Sequence, residues 1–170
     1  ASDVYKRQAE DPKILQWRFV VDCPDARNIV LCENLNFLKT PRIARDNHIE
    51  LWYVGGNNIS NIDYIPDHKL TLPLYYSCDW DYDGLKIYER LQDRFARKSK
   101  SITLLYPSPI LRKSVDSPEH NSRWKHDQPF SGLIRSAYSQ EAISLIQDLI
   151  AQDEWVEEET CELIEMVKLT

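Results

Sequence analysis

The spacing of hydrophobic and polar positions changes along this chain, and each change marks an element. Asn28-Ile-Val-Leu-Cys-Glu33 is an apolar run closed by an acid, the pattern of a buried strand. Asn34 can cap the next segment, where Phe37, Leu38, Ile43 and Ala44 suit a helix that Pro41 kinks or divides. Ile49 to Val54 is a second β-branched and aromatic run, stopped by Gly55-Gly56. One or two helical turns are expected over 57–65. Leu70 to Tyr76 reads as a third strand, with Pro73 a blemish near its start. Gly84 to Phe95 has the clearest helical period, with Leu85, Tyr88, Leu91 and Phe95 on one stripe. Ile102 to Tyr106 reads as a fourth strand. Residues 107–132 hold four prolines and no apolar period, so a long loop is expected there. Ser139 can cap a helix carrying Ala142, Ile143, Ile146, Leu149 and Ile150. A last helix is expected from about Trp155, with Leu163, Ile164 and Val167 inward.

Strand–helix alternation over 28–106 predicts an α/β fold, a central parallel sheet of about four strands flanked by helices. A C-terminal helical extension comes after it. The expected division is a tail, linker or edge segment over 1–25, the α/β domain over 26–110, a basic loop over 111–132 and the extension over 133–170. In parallel sheets, sites form outside the carboxyl ends of the strands. Two predicted strands run into acids there, Glu33 and Asp79, and they are expected to be neighbours.

Composition changes this picture in few places. The 170 residues suit one domain with at most a small appendage, and the 42% hydrophobic content is ordinary for a globular protein. No apolar run is long enough to span a membrane, and the first residues have no signal-peptide core. The four cysteines are far apart with no CxxC pair, the pattern of reduced core thiols in a cytoplasmic protein. The net charge is 21 − 27 = −6, but residues 151–170 contribute seven acids against one base, leaving 20 of each sign elsewhere. The main body is neutral, which neither supports nor excludes DNA as a partner.

Candidate chemistry concentrates in Asp79-Trp-Asp81-Tyr-Asp83-Gly84. Acids at i and i+2 of an extended segment point the same way. Carboxylates that close repel unless a cation lies between them, and hard oxygen ligands suit Mg²⁺ or Mn²⁺. Gly84 is expected to open a helix whose amino end favours an anion. An EF-hand loop is rejected, because its twelfth position, counted from Asp79, is Arg90 rather than Glu. An aspartyl-phosphate phosphatase remains a weaker alternative, since no further acidic pair comes after the fourth strand. A solvated acidic loop is the bland one.

These residues resemble the Toprim pattern of a strand ending in Glu, a second ending in glycine, and a third running into D-x-D. Asp79-Trp-Asp81-Tyr-Asp83-Gly84-Leu-Lys-Ile87 is similar to the matching stretch of the topoisomerase VI A subunit and of JetD, the nuclease subunit of the Wadjet plasmid-defence system. Tyr82 stands where topoisomerase relatives often have Pro. The resemblance covers about residues 26–106 and implies that Glu33, Asp79 and Asp81 are catalytic and hold Mg²⁺ or Mn²⁺, with Asp83 as a further metal ligand. It implies divalent-metal-dependent cleavage of DNA phosphodiesters by part of a larger DNA-processing or plasmid-defence protein, with other subunits of such a complex as candidate partners. Two alternatives stay open. One is a non-catalytic module for metal-dependent DNA binding or assembly. The other is topoisomerase-like transesterification with the tyrosine domain missing.

The 107–132 segment carries Arg112, Lys113, Arg123 and Lys125, with Trp124 among them. Basic residues beside an aromatic can track a phosphate backbone or stack a base. His120 and His126 lie in the same segment and are expected to be solvated. Trp80, between the acids, is expected in the core.

Overall fold

Val30 and Leu31 are fully buried in the strand that the first apolar run predicts, and the rest of the first sheet assembles around it. The computed structural model describes residues 19–56 and 58–170. Most of the 1–25 segment and the expected start of the 57–65 turn therefore lie outside the described residues. Contacts divide the chain into two units. The first runs to Ser77 and takes in Lys100–Leu105, and the second comprises Cys78–Ser99 and Tyr106–Thr170. Cys78–Ser99, expected inside a 26–110 domain, thus groups with the C-terminal segment.

The first unit holds a five-stranded mixed sheet in the order β1-β3-β2-β4-β5. Its strands are β1 (Val20–Val21), β2 (Asn28–Cys32), β3 (Ile49–Tyr53), β4 (Leu74–Ser77) and β5 (Thr103–Leu104). The last four are mutually parallel, as expected, while β1 adds an antiparallel edge against β3. Ile29 to Cys32 and Ile49 to Trp52 are all buried, the signature of strands covered on both faces. Pro41 divides the segment after β2, as its fixed φ and missing N–H require. A 3₁₀ turn over Phe37–Lys39 precedes α1 (Pro41–Asp46), which has Pro at its start. The expected strand from Leu70 is half right. Pro66 begins a 3₁₀ turn over Asp67–Thr71, and only Leu74 onward joins the sheet.

Glu50 is the unusual core residue. It is fully buried on β3, and its carboxylate accepts from Lys69 Nζ at 2.6 Å, Trp52 Nε1 at 2.8 Å and the Cys23 N–H at 3.0 Å. A charge in this position is tolerable because it is both paired and hydrogen-bonded.

The second unit is built on α2 (Tyr82–Ala96) and α3 (Gln140–Gln152). On α2 the predicted stripe is buried, each large apolar side chain contributing about 1.5–3 kcal/mol. Ser139 Oγ caps α3 by accepting from the Ala142 N–H, as expected. The segment expected to be a long loop is more ordered than its prolines suggest. It contributes β6 (Arg112–Ser114), antiparallel to β7 (Glu154–Val156), and Trp80 extends the pair through a bridge to Val156. The last helix, expected from Trp155, is shortened to α4 (Leu163–Lys168), because Trp155 and Val156 are taken by this pairing. All four cysteines are buried, and none is in a disulfide. No helix among the described residues is long and apolar enough to cross a membrane.

Candidate functional site

In the first unit the parallel strands run in the order β3-β2-β4-β5, so the direction of winding reverses between β2 and β4. The crevice outside the carboxyl ends at such a reversal is where open α/β sheets bind ligands. Cys32 pairs with Ser77 across this point, and the next residue, Glu33, donates its N–H to the Ser77 carbonyl at 2.9 Å. The two strands that run into Glu33 and Asp79 are therefore neighbours, as the sequence suggests. Glu33 is partly exposed, and its carbonyl is met closely by Gly55. A Cβ there would lie 1.9 Å from that oxygen, so only glycine fits. Burial raises the pKa of the Tyr53 hydroxyl, and the charge of Glu33 raises it further.

The D-x-D-x-D-G segment opens the second unit. Asp79 Oδ1 accepts from the Glu158 N–H at 2.7 Å. Trp80 is 1% exposed and meets the Tyr106 ring edge-on, a core residue as expected. Asp81 is the N-cap of α2, and its Oδ1 accepts from the Gly84 N–H at 2.8 Å. Its Oδ2 accepts from His120 Nε2 at 2.9 Å. Burial raises the Asp81 pKa, hydrogen bonds from Gly84 and His120 oppose that, and Asp83 adds a like charge. Asp83 itself is exposed, and its N–H donates to Ser122 Oγ at 3.0 Å. The amino end of α2, expected to favour an anion, has Asp81 and Ser122 on its first amides. The helix also begins two residues before Gly84.

His120, expected in solvent, is instead 8% exposed. Its ring stacks on Trp155 with centroids 3.8 Å apart and planes 8° from parallel. Nothing in the sequence around it announces this, because Asp81 and Trp155, which its ring bonds and stacks on, are more than 30 residues away. His126 is exposed, as expected, and lies 2.8 Å from Asp153 Oδ1.

The four basic residues predicted for DNA are largely engaged within the unit. Lys113 pairs with Glu157, Arg112 lies 3.9 Å from Asp148, and the Arg123 guanidinium donates to the carbonyls of His120 and Ser122. Lys125 differs, its ammonium standing 5.0 Å from the centre of the Tyr82 ring. Trp124 is not presented for base stacking, since it is 5% exposed and donates Nε1–H to the Glu154 carbonyl.

Among the described residues no group of three or more His, Cys, Asp or Glu side chains is arranged to hold a metal ion. A hydrated Mg²⁺ takes one or two carboxylates and fills its shell with water and phosphate oxygens. At Asp81 a cation would have to share Oδ2 with His120. Comparison with protein-family models, curated proteins and solved structures finds no match.

Proposed function

We propose that this chain is a Toprim-type nuclease domain, part of a larger DNA-processing or plasmid-defence protein, that cleaves DNA phosphodiesters with Mg²⁺ or Mn²⁺. The observation that carries the reading is the reversal of strand order between β2 and β4, with Glu33 directly after one strand and Asp79 two residues after the other. The Toprim resemblance assigns Glu33 and Asp79 as ligands of the cation. When bound, it neutralises the scissile phosphate and lowers the pKa of an attacking water. In the Toprim scheme Glu33, partly exposed, acts as a general acid or base. Asp81 and His120 fix the start of α2, and Asp83 is the exposed acid beside them.

The buried Asp81 carboxylate, whose two oxygens accept from Gly84 and His120, favours a second reading, a module that binds DNA without cutting it. Incubation with supercoiled plasmid separates the two. The nuclease reading expects nicked and linear products with Mn²⁺, none with a chelator, and free DNA ends. Unchanged plasmid with DNA affinity intact supports the binding module. Protein covalently joined to DNA supports the transesterase.

A further inference from the structure

The second acid of the D-x-D pair is already engaged within its own unit. The Asp81 side chain is 7% exposed, and both of its oxygens accept, Oδ1 from the Gly84 N–H at 2.8 Å and Oδ2 from His120 Nε2 at 2.9 Å. The His120 ring is held in its turn. It stacks on Trp155 at 3.8 Å, and its Nδ1 lies 3.4 Å from the Val115 carbonyl. The backbone N–H of His120 donates to the Ser117 carbonyl at 3.1 Å. Two residues on, Ser122 Oγ accepts from the Asp83 N–H, so the segment carrying His120 is pinned to the start of α2 at a second point.

A divalent cation asks something different of this position. Mg²⁺ keeps several of its waters when a protein carboxylate binds it, and Mn²⁺ takes the same oxygen-rich octahedral shell. A carboxylate with so little solvent-facing surface cannot admit that shell while the imidazole stays. The ring leaves only by giving up its stack on Trp155 and its bond to Asp81 together. An ionised carboxylate only accepts, so the proton of that bond is on Nε2, which then has no lone pair to offer a metal.

We propose that Asp81 is not a metal ligand and that His120 takes the place of the ion. His120 is a positioning residue, which holds Asp81 on the Gly84 amide and docks the 115–123 segment on α2. The inference rests on the Toprim reading only for the ion that it excludes, and within the D-x-D pair it narrows the metal-binding role to Asp79.

Two measurements on the full chain test it, the first without metal. Asp81→Ser keeps a capping oxygen for the Gly84 amide and removes the oxygen that faces His120. Urea denaturation in chelator of Asp81→Ser, His120→Ala and the double variant should show overlapping losses. The double variant's unfolding constant should be about tenfold smaller than the product of the single effects gives. The second measurement follows free Mn²⁺ by its electron paramagnetic resonance signal. Asp81→Ser should bind Mn²⁺ as tightly as wild type, and His120→Ala, with Oδ2 uncovered, should gain a second ion that the double variant lacks. Asp81→Asn repeats this arm should the Ser variant not fold.

Additive losses in the urea cycle overturn the proposal. So does Mn²⁺ affinity roughly tenfold or more below wild type in a folded Asp81 variant, the least that loss of a ligand would cost; that result leaves the nuclease reading standing. Overlapping losses in a wild-type chain that binds no Mn²⁺ support the His120 pairing and refute the metal-dependent reading alone.

Discussion

Replacing Lys69 by Met removes the cation that faces Glu50 and leaves everything else in that pocket of the first unit. Glu50 has no exposed surface, and Lys69 is 24% exposed, so the pair is buried on the acid side and partly wet on the other. Breaking a buried ion pair by removing one partner costs about 3–5 kcal/mol, because a charge is left without its counterion. Here the carboxylate keeps two N–H donors, from Cys23 and Trp52. Hydrogen bonds to charged groups contribute roughly 1.5–3 kcal/mol each, so the loss falls at the lower end, about 3 kcal/mol. For a chain of this size that is a fall in Tm of roughly 6–12 °C. The second arm of the cycle is Glu50→Gln with Lys69→Met, which removes the stranded charge and should be more stable than Lys69→Met alone. Urea denaturation followed by circular dichroism measures all members of the cycle. A Lys69→Met chain within about 0.5 kcal/mol of wild type would refute the reasoning, as would a double variant no better than the single one.

Other outcomes rest on the same geometry. His120→Ala should cost about 2–3 kcal/mol by urea denaturation, from the lost bond to Asp81 and the lost stack on Trp155, with His120→Gln in between. Mn²⁺ should raise Tm by stabilising the folded chain, by up to about 2.7 kcal/mol of free energy at a hundredfold excess over Kd, and Asp79→Asn should remove most of that stabilisation. Burial, helped by Asp25, pushes the Cys23 thiol from its ordinary 9.0 up to about 11. Between those values the unfolded chain has lost the proton and the folded one keeps it, so stability should fall as pH rises from about 9 to 11 in a pH series of urea melts. Cys23→Ser should flatten that alkaline limb.

Legibility in the sequence tracks the range of the contacts. Asn28–Cys32, Ile49–Tyr53 and the α2 stripe declare themselves through local period, and the acids beyond the strands are read from the same runs of residues. The antiparallel strand that makes the first sheet mixed, Val20–Val21, is too short at two residues to show a period, and it lies in the segment expected as a tail, linker or edge. Trp155 and Val156 sit next to an acidic run that favours helix, yet they pair with Lys113 and Arg112, a contact no local pattern encodes. The role of Asp81 is hidden in the same way. An acid three residues before the N–H it caps is a local signal, and Asp81 with Gly84 has that spacing. It is masked by the alternation with Asp79 and Asp83, which reads equally as a ligand set. His120, 39 residues further on, cannot be joined to it by spacing at all.

The proposed function requires Glu33 and Asp79 each to be needed for metal-dependent cutting of DNA. The direct measurement is the rate of plasmid nicking with Mn²⁺ by wild type, Glu33→Gln and Asp79→Asn, each first shown by circular dichroism to be folded. Loss of a group that binds the metal or handles the proton should slow cutting by at least about 10²-fold in either variant. Nicking that continues at the wild-type rate in both would contradict the account.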